Sequence, residues 1–100
     1  MLLDIQAAQA VARAKLFERA VNDPGPWAVR IGDRVEWAVK VRTTQSVLFI
    51  VHFGTDVTDD VAWLMCRGEE VSSQTIVPSP EGFALQWRVG LQDDKAPAGV

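Results

Sequence analysis

The stretch of sequence that decides the fold is RVEWAVKV, residues 34–41. Its even positions include three charged residues, and its odd positions are all apolar: Val35, Trp37, Val39 and Val41. A period of two sends successive side chains to opposite faces, as in a strand with one buried and one solvated face. The stretch FALQWRVGL, residues 83–91, alternates in the same way. We therefore expect a half-solvated antiparallel sheet that folds over or closes, with Trp37 and Trp87 in a shared interior.

The rest of the chain after residue 26 predicts further short strands separated by turns. Gly32-Asp33 is a tight turn that joins the first strand to Arg34–Val41 as a hairpin. The segment SVLFIVHF, residues 46–53, is apolar at both parities, so we expect a central strand covered on both faces. The other strands are predicted at residues 27–31, 61–67 and 71–77. About six strands at this spacing indicate a small antiparallel β-sandwich or barrel.

The first part of the chain predicts a helix. Residues 3–21 contain six alanines and no glycine or proline, and the run from Asn22 to Pro26 ends the helix. We expect three segments: an N-terminal helix (residues 1–23), a β-domain (24–91) and an extended polar tail (92–100). The fold class is therefore mainly β with one N-terminal α-helix. The helix either lies across one opening of its own β-domain or docks on another subunit.

Composition limits the possible partners. The chain has 100 residues, a net charge of −3 and a sequence pI near 5.0, which disfavours a nucleic-acid-binding function. One cysteine excludes an internal disulfide, and no signal peptide or membrane-spanning run is predicted. We expect a soluble protein of a reducing cytoplasm that binds neither nucleic acid nor membrane.

The residues that could carry chemistry are isolated from one another. His52 lies inside a strand without a nearby carboxylate or metal-ligand companion, so we interpret it as a structural histidine with a hydrogen-bond partner. Cys66 resembles a buried small hydrophobic residue. Asp56, Asp59 and Asp60 share one turn, but their spacing matches no calcium-binding loop, and a solvated turn explains them better. We therefore predict no catalytic residue, no metal site and no cofactor.

The orientation of charged and aromatic residues follows from the strand pattern. We expect four basic side chains to keep the outer face of the sheet solvated: Arg34, Lys40, Arg42 and Arg88. Three tryptophans fall on the inward parity and are predicted to be core: Trp27, Trp37 and Trp87. Trp63 is ambiguous. The sequence contains no phosphate loop, nucleophile elbow or dinucleotide fingerprint, so we do not expect an enzyme.

The overall plan resembles the small virion proteins of tailed bacteriophages: a helix over residues 3–21, a Pro24-Gly25-Pro26 connection, a small β-domain and an extended tail. These proteins include head–tail connector, head-completion, and capsid or tail accessory proteins. The resemblance implies a structural protein that is cytoplasmic during assembly and then part of the virion. It concerns the architecture, so it transfers no individual site residue.

Our leading hypothesis is a non-enzymatic assembly protein that docks on other protein subunits through its helix, tail and a sheet edge. The residues predicted to contact a partner are Leu3, Phe17, Val21 and Trp63. One alternative is a small ligand- or glycan-binding β-domain with a pocket at Trp63. Another is a regulatory or inhibitor protein that binds a basic partner through its acidic loops.

Overall fold

The computed structural model describes residues 2–91, and their side chains from Ile5 onward. The predicted tail, residues 92–100, lies outside the described residues, as does the side chain of Leu3. One helix, α1 (Leu2–Asn22), precedes seven strands. The strands are β1 (Trp27–Ile31), β2 (Arg34–Trp37), β3 (Val39–Arg42), β4 (Ser46–Phe53), β5 (Val61–Cys66), β6 (Glu69–Thr75) and β7 (Phe83–Gly90).

The predicted fold class is confirmed: the chain is mainly β, with one N-terminal helix and two antiparallel sheets. The first sheet has the order β2-β1-β5-β6, and the second has the order β3-β4-β7. The hairpin at Gly32-Asp33 forms as predicted, with Ile31 opposite Arg34. The predicted strand over residues 34–41 appears as β2 and β3, with Ala38 between them. Seven strands therefore replace the six predicted from the sequence.

β2 and β3 join the two sheets through one extended segment of backbone. Ala38 donates its N–H to the carbonyl of Trp27 (3.0 Å), which extends the pairing of β2 with β1. Thr43 donates to the carbonyl of Ser46 (2.9 Å), which extends the pairing of β3 with β4. We call residues 34–42 the joining strand. It lies at one edge of each sheet, and β6 and β7 lie at the opposite edges.

The core lies between the inward faces of the two sheets. The alternate residues of β4, from Val47 to Phe53, are buried, and the rings of Phe49 and Trp27 meet with centroids 4.5 Å apart. Trp87 lies opposite Phe49 in the register and is also buried. Among the residues whose side chains are described, every buried one is apolar. The interior is therefore stabilised by burial of apolar surface.

The second half of α1 covers one end of this core. Ala20 is fully buried, and Leu16, Phe17 and Val21 pack against the core cluster. Arg42 lies over the ring of Phe17, 5.6 Å from its centroid. Of the two predicted roles for the helix, the structure shows residues 16–21 across one opening of their own β-domain.

The connection from α1 to β1 is fixed by polar contacts. The indole of Trp27 donates to the carbonyl of Asp23 (2.7 Å), and the Asp23 carboxylate accepts from the backbone N–H of Gly25 (2.9 Å) and from Arg67 (2.9 Å). Gly25 has φ +92°, and a Cβ there would lie 2.5 Å from Trp27. Only glycine fits this position without strain.

Two predictions about the faces of the joining strand are wrong. Trp37 is 71% exposed and does not share the interior with Trp87. Arg34, Lys40 and Arg42 do not keep the outer face solvated, because they lie at the inward parity, opposite Ile31, Phe49 and Val47 in the register. The fourth predicted residue, Arg88, is exposed on the outer side of β7, opposite Leu48. The joining strand is therefore inverted relative to the prediction.

The coverage of β4 also differs from the prediction. Its inward side chains are buried, but on the other side Leu48 and Ile50 are half-buried and His52 is exposed. β4 is the central strand of its sheet, as predicted, but only one of its faces forms the core. His52 is consequently a surface residue and not an interior structural histidine.

Candidate docking surface

The joining strand presents its apolar side chains to the outside. Val35 is 53% exposed, Trp37 71%, Val39 64% and Val41 40%. These are the alternating apolar positions of residues 34–41, so they lie on one side of a single extended segment. Together they expose on the order of 400 Å², comparable with the largest apolar patch of a typical monomer.

Two basic side chains of the same strand face inward and are held at the rim of the core by backbone acceptors. Arg34 donates to the carbonyl of Thr55 (3.1 Å), and Lys40 donates to the carbonyl of Asp23 (3.1 Å). These long side chains reach backbone acceptors at the two ends of the β-domain. Among the inward-facing residues of the joining strand, only Ala38 packs against the hydrophobic core. The valines and Trp37 are left on the outer side.

Neighbouring strands widen this surface on both sides. The register places Trp37 beside Ala28, which is beside Met65 of β5. On the other side it places Val39 beside Ile50 and Val41 beside Leu48. We call the partly or fully exposed members of this set the outer apolar face: Val35, Trp37, Val39, Val41, Leu48, Ile50 and Met65. It spans both sheets and contains no charged residue.

Polar and aromatic groups border the outer apolar face. Arg30 lies between Val35 and Trp63 in the register, with its guanidinium 5.9 Å from the Trp63 ring centroid. Arg30 also forms an ion pair with Glu70 (2.6 Å) and donates to the carbonyl of Gly32 (2.7 Å). A mixed border around an apolar centre is the usual arrangement of a protein–protein interface.

The first half of α1 is a second exposed surface. Every residue from 5 to 12 is exposed, including Ile5 (55%) and Val11 (52%). We call residues 5–12 the helix arm. Its sequence, IQAAQAVA, contains no charged residue, although 23% of the whole chain is charged. Exposed helical surface is normally rich in charged side chains, so this composition is unusual for a surface that stays in water.

The residues predicted to contact a partner do not lie together. Phe17 and Val21 are half-buried against the core of their own β-domain. Trp63 lies on the outer side of the first sheet, next to Arg30. Sequence reasoning missed Trp37 and the three exposed valines of the joining strand. The absence of charge in the helix arm is the sequence signal that indicates this second exposed surface.

The remaining candidate residues for chemistry are not brought together. Cys66 is buried, and burial raises the pKa of its thiol, which disfavours a nucleophilic thiolate. Asp56 and Asp59 line a cleft of about 120 Å³ with Arg34 and the Gly32 turn. That volume is small beside the several hundred Å³ of a typical ligand pocket. Among the described residues, no group of three or more His, Cys, Asp or Glu is arranged to hold a metal ion.

Comparisons with known proteins leave the family open. The chain matches no protein-family model, no curated protein and no solved structure. Within the described part of the chain, no helix combines the length and the apolar character needed to cross a membrane.

Proposed function

We propose that this protein is a non-enzymatic subunit of a larger protein assembly, and that it docks there through the outer apolar face. The observation that carries the proposal is the inverted joining strand, which exposes Trp37 and three valines side by side. The largest apolar patch of a soluble protein, at about this extent, is often a functional surface. Tryptophan is also among the residues most enriched at the energetic centres of interfaces.

The distribution of charge supports a protein as the partner. The outer apolar face can lose its water without burying a charge, because its charged neighbours lie at the border and Arg30 already pairs with Glu70. A net charge of −3 disfavours nucleic acid. The proposal agrees with the resemblance to phage virion proteins, whose small subunits act as parts of a shell, connector or tail. The proposal therefore extends to a phage virion as the larger assembly.

A second candidate function is glycan binding. Trp37 and Trp63 both face outward from the first sheet, and Arg30, directly opposite Trp63, lies on the strand between them. Aromatic faces flanked by polar groups can stack on sugar rings. A glycan titration followed by tryptophan fluorescence tests this candidate, and Trp63→Ala must abolish the response if it is correct.

The test of the assembly function compares three tagged chains expressed in the protein's natural source. The wild type should co-sediment with a large complex, and Trp37→Glu should sediment as a free subunit. Val77→Glu is the matched control, because Val77 is 92% exposed but lies in the loop between β6 and β7, outside the outer apolar face. Val77→Glu should behave like the wild type. Co-sedimentation of Trp37→Glu with the complex would contradict the proposal.

A further inference from the structure

The helix arm and the outer apolar face are two unpartnered surfaces on one chain. The arm is exposed on all sides over residues 5–12 and carries no charge. A helix this short is marginal in water and normally depends on tertiary packing. The outer apolar face has the same character, because no charged residue lies within it. Each surface can therefore cover the other without desolvating an unpaired charge.

The helix arm is also short enough to lie within the length of the joining strand. Residues 34–42 extend over about 25 Å at the rise of a β-strand. The helix from Leu2 to residue 12 extends over about 16 Å at the rise of an α-helix. The alanines of the arm allow a close approach of helix to sheet, and Ile5 and Val11 add larger apolar contacts. The face exposes on the order of 400 Å² from the joining strand alone, about half of one side of a standard interface.

The arm cannot reach the outer apolar face of its own chain. α1 is continuous from Leu2 to Asn22 without glycine or proline, so it has no cause to bend sharply. Its second half is fixed at the end of the core by Ala20 and by ion pairs of Arg19 with Glu69 and Asp23. Arg13 donates to the carbonyl of Leu91 (3.3 Å), so the arm leaves the body past the end of β7. The outer apolar face is centred on the joining strand, two strands away from β7 in the second sheet.

We infer that the helix arm of one copy docks on the outer apolar face of a second copy of this chain. This inference rests on the proposed assembly function and names its partner. The contact is head-to-tail, because each copy gives an arm and receives another at a different surface. Such an interface repeats, so it builds a ring when the rotation closes and a linear polymer when it does not.

The test uses the purified full-length chain and sedimentation velocity over a wide concentration range. Two variants each block one surface: Ile5→Glu/Val11→Lys changes the arm at constant net charge, and Trp37→Glu changes the face. Val77→Glu is again the control. The three positions changed in the blocking variants and Val77 are all exposed, so circular dichroism should show an unchanged fold. We expect the wild type and the control to self-associate and each blocking variant to weaken association at least tenfold.

Mixing the two blocking variants gives the decisive result. The arm variant keeps an intact face, and the face variant keeps an intact arm. An equimolar mixture should therefore form a heterodimer that grows no further. A mixture that stays monomeric overturns the inference, as does a wild type that is monomeric at every concentration.

The single variants separate other modes of association. Self-association that survives in the arm variant would mean contact between two outer faces or contact through residues 92–100, and it would overturn the inference. Self-association that survives in the face variant would mean contact between arms, with the same consequence. For either outcome, the co-sedimentation experiment in the natural source tests the proposed assembly function independently of self-association.

Discussion

Trp37 and Trp87 have the same place in the alternating sequence pattern but opposite environments, so matched substitutions should separate them. We consider Trp37→Thr and Trp87→Thr, because threonine keeps strand propensity at both sites. Trp37 is 71% exposed, which leaves about 70 Å² of covered surface and a contribution of at most about 2 kcal/mol. Trp87 is 5% exposed and packs beside Phe49, so its loss should cost about 3–5 kcal/mol.

The assay for this pair is urea unfolding at a protein concentration where each chain is monomeric, followed by circular dichroism. The free energy of unfolding should fall by about 1 kcal/mol for Trp37→Thr and by about 3–5 kcal/mol for Trp87→Thr. Fluorescence gives an independent check, because Trp37→Thr should remove the emission that acrylamide quenches most readily. Equal destabilisation by the two substitutions would refute the outward orientation of the joining strand.

Three further predictions concern the body of the fold. Gly25→Ala should lower the free energy of unfolding by about 2 kcal/mol, because it places a side chain at a φ of +92° and against Trp27. Chemical denaturation measures this loss of stability. Gly68→Ala is the control, because Gly68 also has a positive φ but lies at an open position. The hydrogen bond from Gly25 and the contact with Arg67 lower the pKa of Asp23 from 3.8 to about 2, so its stabilising contribution is complete above pH 4 and lost as the pH falls toward 2. Thermal melts should therefore show a smaller loss over this range for Asp23→Asn than for the wild type. Cys66 should react with a thiol reagent orders of magnitude more slowly in the native chain than in denaturant, and rapid native labelling would contradict its burial.

Much of the fold was predictable because local signals agree with the tertiary structure. β1 and β4 have the predicted bounds, and the Gly32-Asp33 turn fixes the register of β1 with β2. The end of α1 also follows from local chemistry, since proline and glycine after Asn22 cannot continue a helix. These features depend on residues that are close together in the sequence.

The orientation of the joining strand was not predictable from its period of two. Alternation shows that a strand has two different faces, but it does not show which face meets the core. Here the polar side is held inward by Thr55 and Asp23, which are distant in the sequence from Arg34 and Lys40, respectively. The candidate site depends on that orientation, so the sequence pattern alone places Trp37 in the core.

The surface buried by Trp37 in the native assembly is the quantity on which the account depends most. Hydroxyl-radical footprinting measures it, with oxidation of Trp37 and Trp87 compared by mass spectrometry in the isolated monomer and in the complex from the natural source. The account predicts that Trp37 is oxidised rapidly in the monomer and is protected at least tenfold in the complex, whereas Trp87 is protected in both. Equal oxidation of Trp37 in the monomer and the complex would contradict it.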